Sequence, residues 1–184
     1  MDEKPAESGA REDAPEQTSP DLRTRGWASP KIEMRVVNGH RGVYALEDIA
    51  PDERLCGLPH VFVDRASKYT IQIDARRHQA GTEEIDDFFN HSCNPNCYLN
   101  FEELTFVAAR PIAAGAQLSF NYLTSEWDMD EPFQCWCERP GDYCVNEIRG
   151  FKHLPRARQL ALKPRISPYL RRRLEALLAD EGAA

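Results

Sequence analysis

Phe88-Phe89-Asn90-His91-Ser92-Cys93-Asn94-Pro95-Asn96-Cys97 is where the chain passes from an apolar pair into a crowd of polar and turn-forming residues. The two phenylalanines read as the end of a buried extended segment. Asn90, His91 and Ser92 then offer donors and acceptors at consecutive positions, and Asn94-Pro95 forces the backbone to turn. Such a loop can hold a polar ligand close to the core, or it can be a turn that satisfies its own hydrogen bonds. Composition leaves both readings open.

On either side of this loop the sequence is cut into short apolar runs. Toward the N-terminus, Ile32, Met34 and Val36 alternate with charged neighbours, Asn38-Gly39 signals a turn, Gly42-Val43-Tyr44-Ala45 resumes the extended run, and Pro51-Asp52 breaks it. Val61-Phe62-Val63 is a further candidate strand, as is the alternation of Tyr69, Ile71 and Ile73 against Thr70, Gln72 and Asp74. Toward the C-terminus come Leu104-Thr105-Phe106-Val107 and, after the break at Gly115, Leu118-Ser119-Phe120-Asn121-Tyr122. Regularly spaced short strands predict a mostly β domain, and the lack of an internal repeat argues against propellers and solenoids. Beyond Leu154 the character becomes basic and helical. Ser167-Pro168 supplies a cap and a first helical residue, and Leu170, Leu174, Leu177 and Leu178 follow at helical spacing. The arginines at 156, 158, 165 and 171–173 read as a solvated face.

The 184 residues suffice for one core of ordinary size, and 41% hydrophobic with 29% charged residues describes a globular protein with a polar periphery. Residues 1–30 are acidic and Pro-rich with little to bury, which predicts a disordered tail, or alternatively an acidic docking arm. No apolar run approaches the roughly 20 residues that cross a bilayer, and the N-terminal stretch lacks the basic-then-apolar pattern of a secretory leader. An intracellular, reducing setting is expected, without membrane association. The net charge of −7 disfavours direct nucleic-acid binding and suits a basic, lysine-bearing protein partner. A monomer is expected.

In a reducing compartment the six cysteines point to metal rather than to disulfides. Cys135-Trp136-Cys137 followed by Cys144 supplies most of a tetrahedral zinc site, with Cys93 or Cys97 as the fourth thiolate. A disulfide within Cys-x-Cys would be strained. Cys56, between Leu55 and Gly57, reads as core packing.

Four segments, in this order, resemble the SET domain with its post-SET tail: HRGVYALEDIAPDERL, FFNHSCNPNC, GAQLSFNY and FQCWCERPGDYCVNEIRGFKHL. The resemblance covers about Ile32 to Leu154. It implies small curved β-sheets with a knot-like threading of the C-terminal segment, a SET domain over residues 31–126, a post-SET zinc-binding segment over 131–154 and a basic helical extension over 155–184. It further implies transfer of a methyl group from S-adenosylmethionine to a lysine amine of a protein, with Tyr122 as the catalytic tyrosine and Tyr69 lining the lysine channel. Asn90, His91, Tyr122 and the stretch His40, Arg41, Gly42 and Val43 become cofactor contacts, and Phe120 the position controlling how many methyl groups fit. Cys93, Cys135, Cys137 and Cys144 become the ligands of a structural zinc, with Cys97 a bystander. The sequence departs from the family pattern at His40, where glycine is usual, at Ile85 and Asp87, where tyrosine and arginine are common, and in the longer spacer between Cys137 and Cys144. No cysteine-rich stretch precedes Lys31. A nuclear location would follow for a eukaryotic source and a cytoplasmic one for a bacterial source. Two other classes fit part of the pattern: an inactive SET-like zinc module that binds lysine-bearing peptides, and a thiol hydrolase built on His91 and a cysteine.

Overall fold

Asn38 and Gly39 both take positive φ, 53° and 81°, the geometry of a two-residue hairpin turn whose twist matches its strands. That hairpin opens the largest paired unit of the computed structural model, which describes residues 26–137 and 144–182. The strands in the N-terminal half are β1 (Trp27–Ala28), β2 (Ile32–Val37), β3 (His40–Ala45), β4 (Arg54–Gly57), β5 (Phe62–Val63), β6 (Ile71–Asp74) and β7 (Arg77–Gln79). After a 3-10 turn at Ile85–Phe88 come β8 (Asn90–His91), β9 (Cys97–Asn100), β10 (Thr105–Ala108), β11 (Gln117–Phe120), β12 (Phe133–Gln134) and β13 (Glu147–Ile148). They form four small sheets, ordered β1-β4-β10-β9, β2-β3-β11-β8, β5-β7-β6 and β12-β13. The architecture is mostly β, as expected.

The two four-stranded sheets enclose a core in which Val43, Leu55, Phe106 and Leu118 are fully buried. Phe89 stacks on Phe106 at 4.1 Å between ring centroids, and Phe106 packs on Phe120 at 4.9 Å. Aromatic pairs of this kind add stabilisation beyond the area they bury. They anchor the entry to the Asn90 loop and the end of β11 in one cluster.

Several expectations shift in detail. Tyr69 precedes β6 rather than lying within it, and Gln72, assigned to the solvent side, is buried. The reason is that Gln72 is used: its backbone N–H donates to Glu126 Oε1 at 2.9 Å and its side-chain oxygen accepts from Trp127 N at 2.8 Å. On β2 the alternation holds in geometry but not in burial, since Ile32 is buried while Val36 is 63% exposed. Order also begins before the boundary expected at residue 30, because Trp27–Ala28 pairs with β4; residues 1–25 of that segment lie outside the described residues.

The C-terminal extension forms α1 (Arg156–Leu162) and α2 (Pro168–Gly182). Ser167 caps α2, its Oγ accepting from Leu170 N at 3.1 Å. Tyr169, Leu170 and Leu174 bury against Phe151 and Ile166 in a second core flanked by Trp127 and Leu154. Two of the arginines read as a solvated face instead fasten the helix: Arg172 pairs with Asp74 at 2.8 Å, and the Arg173 guanidinium lies 4.3 Å from the Trp127 ring centroid. Because Trp127 and Phe151 belong to the preceding segment, the extension shares its core.

Asp86, in the 3-10 turn, is 4% exposed. Its Oδ1 and the Oε1 of Gln79 are buried without a hydrogen-bond partner, while Gln79 Nε2 donates to Asp86 Oδ2 at 3.4 Å. Burial, and after it the charge of Asp87, push the Asp86 carboxyl up to about 7. A proton on Asp86 supplies a hydrogen where two acceptors have none. The folded-state value lies above the unfolded one of about 3.9, so this group favours the folded state below pH ~4 and loses that contribution as pH rises through about 7. Asp86→Asn keeps a donor at every pH. Its melting temperature is expected to exceed that of the wild type by several degrees at pH 8 and by much less at pH 5, as thermal unfolding at the two pH values would reveal.

Candidate active site and thiol cluster

β8 joins β11 in parallel, with Asn90 opposite Ser119 and His91 opposite Phe120. β11 also pairs antiparallel with β3, Leu118 facing Val43. Three segments far apart in sequence therefore meet at one end of a sheet: the turn-proximal half of β3, the Asn90 loop, and the chain leaving β11. Asn90 Nδ2 donates to the Arg41 carbonyl at 2.8 Å. A Cβ at Gly42 would lie 2.4 Å from Gln117 Nε2 and 3.0 Å from Asn90 Nδ2, so a side chain there would displace the ends of those two amides.

Directly after β11, Asn121 Oδ1 accepts from Leu123 N at 3.0 Å and caps a short 3-10 turn, Tyr122–Thr124, which redirects the chain and aims Tyr122 back at β8. The Tyr122 hydroxyl donates to the Phe89 carbonyl at 3.0 Å, and its backbone N–H donates to His91 Nδ1 at 3.2 Å. Burial raises the Tyr122 pKa well above that of a free phenol, so the group is a neutral donor. Burial also lowers His91 to about 4. With Nδ1 accepting, the proton of the neutral imidazole belongs on Nε2, which lies 3.4 Å from Cys93 Sγ. Around Tyr122 the rings of Phe120, His91 and Phe133 stand at 4.8, 5.3 and 6.0 Å, an apolar wall on several sides.

Tyr69 stands near Tyr122 and is held differently. Its ring packs edge-on to Phe88 at 6.1 Å, and its hydroxyl accepts from Arg41 Nη2 at 3.2 Å. Consecutive residues thus organise the two tyrosines, Phe88 by its ring and Phe89 by its carbonyl. His40, the departure from the family pattern, is exposed at the turn end of β3 opposite Val37, and its ring meets Trp136 edge-on at 5.4 Å. The histidine side chain is directed toward the Cys-x-Cys segment.

The Sγ atoms of Cys93, Cys135, Cys137 and Cys144 all lie within 4.8 Å of one another, and Cys93 and Cys135 are 3.7 Å apart. Four sulfurs about 2.3 Å from one tetrahedral ion would be separated by roughly 3.8 Å. The donor set fits zinc in spacing and in softness. Burial pushes the Cys93 thiol up to about 11 and raises Cys135 as well. At Cys137 burial acts the same way, but hydrogen bonds from the Cys135 and Cys144 thiols outweigh it and lower the value. As thiolates, the four sulfurs could ligate one such ion. Cys97 is not in the group: it is buried in β9, its thiol is pushed up to about 12 by burial, and it faces Asn96 Oδ1 at 3.5 Å. Cys56 lies in the core. Residues 138–143, the long spacer, lie outside the described residues. Two cavities of about 210 and 220 Å³ lie between Cys93 and α1, lined in part by Leu162 and Asn121, and neither includes Tyr122.

Sequence reasoning missed Glu126. It is buried, it receives the Gln72 N–H, and burial pushes its carboxyl up to about 7. Ser125-Glu126-Trp127 looks like ordinary surface sequence, and no local signal marks it.

Known proteins share this pattern. Residues 40–123 match the family model of the SET domain. The methyltransferase flvH of Aspergillus flavus is 43% identical over 67 residues, which are 34% of this chain and 35% of that protein. The histone-lysine N-methyltransferase, H3 lysine-36 specific, of Emericella nidulans is 40% identical over 111 residues, 57% of this chain and 10% of that protein. The chain thus spans about a third of the first relative and a tenth of the second. Among solved structures, KRYPTONITE in complex with mCHG DNA and SAH aligns with a TM-score of 0.47 at 19% identity, covering 63% of this chain and 28% of that one. Among the described residues, no helix is long and apolar enough to cross a membrane.

Proposed function

We propose that the protein transfers a methyl group from S-adenosylmethionine to the side-chain amine of a lysine in a protein substrate. The observation that carries this reading is the parallel pairing of β8 with β11, which puts Asn90 and His91 beside Tyr122 and next to the main chain of Arg41 to Val43. Backbone and polar side chains there suit a nucleoside-bearing ligand, and the apolar ring wall beside them suits a lysine stem. S-adenosylmethionine would supply an electrophilic methyl group on its sulfonium.

The lysine must attack as the free amine: a new N–C bond forms, the S–C pair stays on sulfur, and the proton released ends in solvent. With an ordinary pKa near 10.4, the amine is neutral at pH 7 only at a cost of roughly 4 to 5 kcal/mol. Phe120, Phe133 and the faces of Tyr122 and Tyr69 lower that cost by desolvating the ammonium. Tyr122, its own pKa raised, orients the amine rather than deprotonating it. Cys93, Cys135, Cys137 and Cys144 would hold a zinc ion with no position left for water or substrate, so its role is to clamp residues 131–154 against the Asn90 loop. Phe133 and Trp136 are brought to the site by that clamp. The inactive-module alternative turns on His40, whose ring meets Trp136, and absence of adenosylmethionine binding by calorimetry would favour it.

The H3 lysine-36 relatives make a histone the first substrate to try and a nuclear location the natural corollary. Incubating the protein with labelled adenosylmethionine and core histones is expected to label lysine. No transfer to histones or to a panel of other basic proteins, from a protein shown to contain zinc, would refute the reading. The Phe120 ring stands 4.8 Å from that of Tyr122, at the position that the resemblance makes the limit on how many methyl groups fit. Phe120→Tyr is accordingly expected to shift the product from higher methylation toward monomethyl-lysine, which mass spectrometry of the modified peptide measures.

A further inference from the structure

The His91 imidazole has a partner on each nitrogen, and the two partners belong to different parts of the site. Nδ1 lies 3.2 Å from the backbone nitrogen of Tyr122, and Nε2 lies 3.4 Å from Cys93 Sγ. A backbone N–H can only donate, so Nδ1 keeps its lone pair and the ring hydrogen stands on Nε2. An imidazolium, with hydrogen on both nitrogens, could not make the first contact. Nε2 therefore donates, and the Cys93 sulfur accepts.

The thiol cluster is set up to receive such donors. Cys137 N lies 3.4 Å from Cys135 Sγ and Asn146 N lies 3.4 Å from Cys144 Sγ, while the Cys93 N–H donates to Cys137 and the Val145 N–H to Cys93. Four thiolates around a dication leave an excess of negative charge, which N–H donors offset. At Cys93 a side chain adds to the backbone donor. That same ring packs edge-on against Tyr122 at 5.3 Å and against Phe133, on the segment that carries the other three thiols, at 5.8 Å.

We infer that the His91 imidazole is a positioning residue that joins the thiol cluster to the catalytic tyrosine, Nε2 holding the Cys93 thiolate as a zinc ligand and Nδ1 holding the backbone at Tyr122. This role rests on the methyltransferase reading and on zinc at the four cysteines, and it belongs to the ring rather than to the main chain of the loop. Partners that hold a metal's ligands fix their orientation and strengthen binding of the ion. Here the partner of the ligand is also the partner of residue 122, so order at the metal is passed to the group that orients the amine.

Two substitutions separate the two bonds. His91→Asn puts an amide where Nδ1 stands and stops short of Cys93, whereas His91→Gln reaches the place of Nε2 and leaves the Tyr122 N–H without its acceptor. Both lose the ring, so the comparison between them isolates the bonds. His91→Asn is expected to bind zinc about tenfold more weakly than His91→Gln in competition with a chromophoric chelator. With zinc and cofactor saturating, His91→Gln is expected to have a kcat on core histones about tenfold below that of His91→Asn. In the zinc-loaded wild type, nitrogen NMR of His91 should show the hydrogen on Nε2, a measurement that stands even where a variant fails to fold. Hydrogen on Nδ1, or losses of zinc affinity and kcat that do not divide between the variants in this way, would overturn the inference while leaving methyl transfer by the wild type intact. A wild type that binds no zinc overturns it as well. A zinc-loaded wild type that transfers no methyl group would overturn the methyltransferase reading and the positioning role with it.

Discussion

Removing zinc with a chelator, or replacing Cys135 with serine, is expected to abolish methyl transfer while leaving most of the β-sheet structure in place. The reason is where the thiols sit. Cys93 belongs to the loop after β8, whereas Cys135, Cys137 and Cys144 belong to the segment carrying β12 and the approach to β13, and that segment is held by a two-residue ladder, Phe133 opposite Ile148 and Gln134 opposite Glu147, flanked by backbone hydrogen bonds from Cys135 to Asn146 and from Met129 to Arg149. A two-stranded ladder this short is marginal on its own. Structural zinc in small motifs contributes on the order of 10 kcal/mol. The main core, from Ile32 to Phe120, contains none of these four cysteines. Metal analysis, far-ultraviolet circular dichroism and limited proteolysis between residues 129 and 150 would test this together. Cleavage there on chelation, with activity lost and sheet signal kept, is the expected pattern; full activity in a protein shown to be free of metal would contradict it.

Tyr122→Phe should be nearly as damaging to the reaction and nearly silent in stability. The hydroxyl makes one hydrogen bond, to the Phe89 carbonyl, and losing a single bond of this kind costs about 1 kcal/mol. The ring, with its neighbours Phe120, His91 and Phe133, stays where it is. What disappears is the group that orients the amine. Misplacing a nucleophile by about an ångström can cost a hundredfold, and a loss of that size or greater in kcat is expected. Affinity for adenosylhomocysteine should change little, since His91 still receives the residue 122 backbone N–H.

Much of the fold is legible in the residues alone. The hairpin at Asn38-Gly39 and the helix start at Ser167-Pro168 depend on local turn and cap chemistry, which short sequence windows carry, whereas the run expected to stay extended through Tyr122 leaves the strand at Phe120 for a 3-10 turn. The thiol cluster is legible as chemistry, but the choice of Cys93 over Cys97 is not: both lie in one loop, and only the start of β9 at Cys97 turns that thiol into the core. Other features have no local signal because they are made by distant partners. Gln72 is buried because Glu126 and Trp127 come back to meet it, and Arg172 is fastened because Asp74 lies 98 positions earlier. Asp86 likewise looks like surface sequence, and it is Gln79 and the packing around the 3-10 turn that bury it.

The most direct test is a single-turnover comparison of zinc-loaded wild type and Tyr122→Phe, each saturated with labelled adenosylmethionine and given a histone substrate. Transfer of label to lysine by the wild type, slowed about a hundredfold or more in the variant at unchanged cofactor affinity, is the predicted result. Equal rates of labelling by the two proteins would contradict a methyl transfer centred on Tyr122.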